Sequence, residues 1–114
     1  MQTRKGKIHD AEVLAWACAN LKEGFGMPMS VIESLAWEQF KDRGVKRHGF
    51  GGKIRRLFPA NCSAFPHRFK KGSSDLFVVE GRIPGNRHRP CRVLWSLKPG
   101  AAHAFAEQVQ VQAA

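Results

Sequence analysis

The chain has 114 residues, 43% of them hydrophobic, and no apolar run near the length of about 20 residues that crosses a membrane. This length and composition allow one domain with a modest core, which excludes a two-domain protein or a repeat solenoid. The formal net charge of +10 makes acidic macromolecules, above all nucleic acid, the expected partners. We predict a basic, flexible start over residues 1–9, one domain over 10–110 and a frayed end over 111–114.

The first ten residues contain no apolar segment of the kind that a signal peptide carries, so we expect a cytoplasmic protein that does not act at a membrane. The three cysteines, Cys18, Cys62 and Cys91, are an odd number and form no C-x-x-C pair. A disulfide framework is therefore not expected.

The positive charge is concentrated in the middle of the sequence. Residues 46–92 contain twelve basic and two acidic residues, whereas the rest of the chain is balanced at seven of each. This segment therefore carries the whole excess charge, an asymmetry expected of a phosphate-binding surface. A solvated surface without a partner is the alternative interpretation.

A first helix is predicted over residues 11–23, with Asp10 as its N-cap. Apolar residues recur in it at the three- and four-residue spacing of one helix face, and Gly24 and Gly26 follow as stop signals. The residues of this face are Val13, Leu14, Ala17, Cys18 and Leu21.

A second helix is predicted to begin at Ser30 and to end before Gly44. The preceding residues 27–29 are expected to be extended, because proline disfavours helix in the residue before it. Ser30 and Glu33 form the S-x-x-E pattern of a capping box. The apolar stripe of this helix consists of Ile32, Leu35, Ala36 and Phe40.

The next segment is rich in glycine, and each glycine disfavours helix by about 1 kcal/mol relative to alanine. The sequence therefore allows either a loop or a helix over residues 44–52. The third helix is expected to be short and to span residues 51–58. A glycine-rich loop would let the backbone approach a phosphate at the start of this helix, or would be a flexible connector. The helix would turn Ile54, Leu57 and Phe58 inward and Lys53, Arg55 and Arg56 outward, and would end at Pro59.

The second half of the chain predicts a β-hairpin. Residues 60–74 are expected to form a loop with a short extended piece at 64–69. Leu76–Ile83 and Arg92–Leu97 have the period-two pattern of strands, joined by a polar loop with two prolines and two arginines. A short last helix is predicted over 101–110.

The order of helix, extended link, helix, basic third helix and hairpin with a basic loop resembles a winged helix-turn-helix domain over residues 10–98. The resemblance implies an α+β fold with three helices, a two-stranded wing and a short C-terminal helix. It also implies a small transcriptional regulator or DNA-organising protein that occupies duplex DNA. Residues 46–56 would enter the major groove and 82–92 would contact the backbone or minor groove. A palindromic target would call for a homodimer.

The candidate DNA-binding residues are basic and lie in these two segments and in the loop between them. Arginine can read guanine through two hydrogen bonds and lysine can neutralise phosphate, so we expect at least one base contact from the third helix. The candidate set is Lys46, Arg47, His48, Lys53, Arg55, Arg56, Arg68, Lys70, Lys71, Arg87, His88, Arg89 and Arg92.

A zinc site is one alternative interpretation of the loop residues. Cys62, His67, His88 and Cys91 would suit tetrahedral zinc, although their spacing matches no standard knuckle. We assign no metal and no other cofactor.

Other functions also remain open at this point. A small basic ribonuclease-type toxin could use His67, His88, Arg89 and Glu80 as acid, base and phosphate clamp, and Arg92–Trp95 is similar to a core strand of such toxins. An RNA-binding protein and a module that binds an acidic protein are further alternatives. We assign no catalytic residue.

Overall fold

The computed structural model describes residues 8–69 and 75–113, with side chains up to residue 107. It shows an α+β fold with four helices and a three-stranded antiparallel sheet. Within the described residues, no helix is long and apolar enough to cross a membrane. The elements are α1 (Asp10–Asn20), β1 (Met27–Pro28), α2 (Met29–Phe40), α3 (Arg47–Ala60), β2 (Phe77–Ile83), β3 (Arg92–Leu97) and α4 (Ala101–Ala113).

The first helix is confirmed with different ends. His9 is its N-cap and donates its backbone N–H to the Glu12 carboxylate at 2.9 Å. Asp10, the predicted cap, is the first helical residue, so that prediction is wrong. The helix ends at Asn20, before the predicted glycine stop, because the chain turns to extended conformation at Leu21. Val13, Ala17 and Leu21 are buried, as the apolar pattern predicted.

The second helix begins one residue earlier than predicted. Pro28 is its N-cap, so Ser30 lies inside the first turn and the predicted capping box is wrong. Ile32, Ala36 and Phe40 are buried, but Leu35 from the predicted stripe is 47% exposed. The four-residue spacing of the three buried side chains makes a narrower stripe than predicted, and Leu35 lies beside it.

A short 3₁₀ segment, Lys41–Arg43, follows α2 and ends at Gly44, which has a φ of 80°. This left-handed conformation favours glycine and confirms the predicted glycine stop.

The third helix is longer than predicted and contains Gly49, Gly51 and Gly52. Residues 47–52 are therefore helix, and neither a flexible connector nor a phosphate-binding glycine loop forms there. The glycines disfavour the helix by about 3 kcal/mol together, whereas burying one large apolar side chain stabilises by about 1.5–3 kcal/mol. Four such side chains are buried, which outweighs the glycine effect. They are Phe50, Ile54, Leu57 and Phe58.

The extended link is part of the sheet, which the sequence did not predict. Met27 pairs with Trp95 and Pro28 with Leu94, giving the strand order β1-β3-β2. Pro28 has no N–H to donate, which an edge strand tolerates. The predicted hairpin of β2 and β3 is confirmed and contains a bulge between Val79 and Gly81.

Residues 62–69 form tight turns, so the predicted extended piece at 64–69 is wrong. The N–H of Phe65 donates to the Cys62 carbonyl at 3.1 Å, and the N–H of Phe69 donates to the Phe65 carbonyl at 2.9 Å. These turns let Phe65 stack on Trp95, with ring centroids 5.2 Å apart.

The centre of the core is an aromatic cluster between α3 and the sheet. The ring of Phe58 stacks on Phe77 with centroids 4.1 Å apart and an interplanar angle of 11°. It meets Trp95 edge to face at 5.5 Å. Phe58 has no exposed surface, so α3 is held on the sheet by a side chain that is in contact on all sides.

Replacing Phe58 tests this arrangement. We expect Phe58→Ala to lower the free energy of unfolding by about 3–5 kcal/mol, because it leaves a cavity and removes two aromatic contacts. The matched control is Phe25→Ala, because Phe25 is 61% exposed and its removal should change stability by no more than about 0.5 kcal/mol. Urea denaturation measures both, and equal effects would contradict the central role of Phe58.

Glu12 links α1 to the segment that follows α2. Arg43 Nη1 donates to Glu12 Oε1 at 2.9 Å, across 31 residues of sequence. The Arg43 guanidinium and the His9 N–H stabilise the charged carboxylate and lower the pKa of Glu12.

A lowered pKa in the folded state makes this carboxylate stabilising above its unfolded pKa, and the contribution is lost as pH falls through the folded pKa. We therefore expect Glu12→Gln to lower the free energy of unfolding at about pH 7. The variant should also lose less stability than the wild-type protein between about pH 7 and about pH 3. Denaturation curves at both pH values measure this. Glu38→Gln, which removes the carboxylate of an exposed pair with Lys41, is the control and should have a smaller effect.

Candidate nucleic-acid interface

Lys53, one of the predicted phosphate-binding residues of α3, does not point into solvent. Its Nζ donates to the Ile8 carbonyl at 2.6 Å and to Asp10 Oδ1 at 3.1 Å. The side chain is only 27% exposed. The prediction of an outward Lys53 is therefore wrong, because the N-terminus of α1 supplies acceptors that the sequence pattern did not bring near it.

Arg55 and Arg56 are exposed on α3, as predicted. Arg55 Nη1 lies 2.5 Å from Glu33 Oε1 on α2. Gly51 makes room for this pair, because a Cβ there would be 2.6 Å from the same carboxylate oxygen. Arg56 has no acidic partner among the described residues.

The N-terminus of α3 presents three further predicted residues. Lys46 is the N-cap, and Arg47 and His48 begin the exposed face. The guanidinium of Arg47 lies 5.7 Å from the centroid of the half-buried Trp37 ring. A helix N-terminus with adjacent cations attracts anions, and the cation–π contact gives Arg47 a defined position there.

Arg68 comes from the turn after α3, not from the helix, yet it lies beside the helix arginines. An open depression of about 460 Å³ is lined by Gly52, Arg55, Arg56, Ala60 and Arg68. Lys70 and Lys71, the other predicted loop residues, lie outside the described residues.

The loop between β2 and β3 is exposed from residue 84 to 91 and has a defined tip. The Asn86 side chain accepts the backbone N–H groups of His88 and Arg89 at 2.8 and 2.9 Å. The N–H of Asn86 donates to the Arg89 carbonyl at 2.8 Å. Sequence reasoning missed this role of Asn86, although asparagine at the start of a turn is a recognisable signal for it.

Gly85 is the second loop residue that sequence reasoning missed. A Cβ at this position would lie 2.6–2.8 Å from backbone atoms of Cys91, Arg89 and Pro90. The chain closes this tightly only without a side chain, so Gly85 holds the two sides of the loop together.

The cations of the loop form no ion pair with an acidic residue of the described chain. Arg87, His88, Arg89 and Arg92 are exposed, as is Arg82, which the candidate set omitted. The carboxylates that form ion pairs in the described chain do so with other residues. Across α3, its following turn and the hairpin from Arg82 to Arg92, the basic residues without an ion pair to a described residue are Lys46, Arg47, His48, Arg56, His67, Arg68, Arg82, Arg87, His88, Arg89 and Arg92.

The structure does not bring the alternative metal ligands together. Cys62 is buried, where desolvation raises the pKa of its thiol, and Cys91 is exposed. In residues 8–69 and 75–113, no group of three or more His, Cys, Asp or Glu could hold a metal. The carboxylate of Glu80, proposed for a ribonuclease site, accepts the Ser96 hydroxyl at 2.6 Å.

Comparison with known proteins provides no assignment. No family model, no curated protein and no solved structure matches this chain. What the protein does is therefore inferred from its own charges and geometry.

Gly85→Ala tests whether the loop tip is held as described. We expect the amide hydrogen exchange of Arg89 to become faster, because the added methyl forces the backbone apart and breaks the Asn86 turn. The charge of the loop stays the same. Gly81→Ala is the control, since its nearest contact to a Cβ is an ordinary 3.8 Å. Unchanged exchange in Gly85→Ala would show that the tip does not depend on this glycine.

Proposed function

We propose that the protein binds double-stranded DNA as a winged helix-turn-helix domain and acts by occupancy, as a small transcriptional regulator or DNA-organising protein. The observation that carries this proposal is the pair of basic elements, α3 and the β2–β3 loop, which expose cations that have no acidic partner in the described chain.

The element order supports the proposal. Three helices with an extended link between the first two are followed by a hairpin, and the link pairs with β3. α3 has 14 residues, which corresponds to about 21 Å, and an α-helix fits a major groove about 12 Å wide. In this proposal, residues 46–56 lie in the major groove and the wing, residues 82–92, contacts the backbone or minor groove.

Charge supports duplex DNA as the partner. The chain carries a net charge of +10, and the excess positive charge lies in residues 46–92. Each DNA phosphate that a cation neutralises releases counterions, which makes binding strongly salt-dependent. Acidic residues on the helices instead pair with cations of neighbouring elements, as Glu33 does with Arg55 and Asp10 with Lys53. The carboxylates thus stabilise the fold and leave the cations of the loop available to phosphates.

Fluorescence anisotropy with duplex DNA, single-stranded DNA and structured RNA across a salt series tests the proposal. We expect the tightest binding to duplex DNA, with a steep salt slope and intact RNA in a gel of the same samples. Cleaved RNA would favour a ribonuclease, and no affinity for any of the three nucleic acids would favour a protein partner.

Wing variants test the second contact in the same assay. Arg87→Ala with Arg89→Ala should weaken duplex binding and reduce the salt slope by about two, because each lost phosphate contact removes about 0.9 from it. If these arginines instead enter the minor groove, the affinity loss should be greatest for A·T-rich duplexes.

The control is the double variant Lys22→Ala with Lys41→Ala, which removes two positive charges outside α3 and the loop. Lys22 lies at the end of β3 far from the loop, where its carbonyl accepts the Leu97 N–H at 3.3 Å. Lys41 follows α2. An equal loss in this control would mean that net charge alone, and not the wing, determines binding.

A further inference from the structure

We propose that Arg55, Arg56 and Arg68 form a binding site for one phosphate group of a nucleic-acid backbone. The proposal rests on the proposed function, because it assigns the phosphate to the DNA that the protein binds. It goes beyond that function by separating a phosphate anchor at the C-terminal half of α3 from the residues at its N-terminal half.

The site is a depression with a floor of small residues and a rim of arginines. Gly52 and Ala60 lie eight residues apart on α3 with Arg56 between them, and Arg55, Arg56 and Arg68 line the same space of about 460 Å³. A Cβ added to Gly52 would have only Arg55 Nη2 near it, at 3.8 Å. Among the described residues, no other side chain comes within 4 Å of this position, so the depression is open beside Gly52.

Two of the three arginines of the rim have no acidic partner among the described residues. Glu33 pairs with Arg55, but Arg56 and Arg68 form no ion pair with a described residue. Guanidinium groups that line one depression repel each other, and a bound anion would relieve this repulsion. Arginine binds phosphate oxygens through two parallel hydrogen bonds, so this set of residues suits a phosphate group.

The backbone of Arg68 is held in place before any ligand binds. Its N–H donates to the Phe65 carbonyl at 2.9 Å, and the Phe65 ring stacks on Trp95 of the sheet. The turn that carries Arg68 is thus attached to the core beside α3. A turn whose backbone is already ordered loses less conformational freedom on binding than a flexible basic loop does.

The open shape favours a phosphodiester over free phosphate. The depression is larger than one phosphate group and is not enclosed, so a phosphate carried between two sugars can enter it. Contacts to phosphate fix the register of a protein on DNA and carry no base information. We therefore assign Arg56 and Arg68 to positioning, which differs from the base reading that the sequence suggested for the arginines of α3.

Titration with inorganic phosphate tests the site without DNA. The Nε–H signals of the three arginines are followed by NMR at constant ionic strength, with chloride as the exchanged anion. We expect saturable shifts at Arg55, Arg56 and Arg68 and only small, non-saturating shifts at Arg87 and Arg89. Equal behaviour at all five arginines would overturn the site.

Two glycines of the same helix provide a matched pair of steric variants. Gly52→Leu fills the floor of the depression and should abolish the saturable shifts. Gly49→Leu adds the same side chain at an exposed position with nothing within 4 Å of a Cβ and outside the depression, so the shifts should remain. Melting curves check that both variants are folded, and persistence of the shifts in folded Gly52→Leu would overturn the site.

Duplex binding separates the site from the proposed function. Arg68→Ala should weaken binding by the same factor on every sequence and reduce the salt slope by about one. A sequence-dependent loss would overturn the assignment to phosphate. If the wild-type protein binds duplex DNA without saturable phosphate shifts, only the site fails. If it binds no duplex, the proposed function and the backbone assignment fail together.

Discussion

The contact of Phe58 with Phe77 and Trp95 is the constraint on which the rest of the structure depends. It seats α3 on the sheet and so determines which side of the helix faces solvent. The same tryptophan stacks with Phe65, which attaches the turn after α3 to the core. One aromatic cluster therefore orients the helix arginines and brings Arg68 beside them.

Most acidic residues form ion pairs within the fold, and several basic residues have no acidic partner among the described residues. The protein uses carboxylates mainly to connect elements, because a partly buried charge is tolerated only with a partner. With more than twice as many basic as acidic residues, this pairing leaves cations on α3, its following turn and the β2–β3 loop without an ion pair to a described residue. The interhelical pairs are Glu12 with Arg43, Asp10 with Lys53 and Glu33 with Arg55.

The elements predicted best were those with strong local patterns. The strands after residue 76 follow from the alternation of apolar and polar residues along the chain. The helix stop at Gly44 follows from the left-handed backbone conformation that glycine favours. Both are local properties of the sequence. The length of α3 was underestimated because glycine propensity is local, whereas the burial of Phe50 against Trp37 and Phe40 of α2 is not. The capping box at Ser30 failed because Pro28, a stronger local signal, began the helix earlier.

The sequence by itself determined the fold class, the positions of most helices and strands and the concentration of charge in residues 46–92, because periodicity and composition are readable along the chain. Only the tertiary structure decided which basic residues are available. Lys53 and Arg55 have acidic partners that are 43 and 22 residues away, and no spacing rule connects them. The arginine-lined depression likewise joins a helix to a later turn, and the tip of the β2–β3 loop depends on a backbone contact at Gly85. These contacts follow from the packing of α3 on the sheet and the closure of the hairpin.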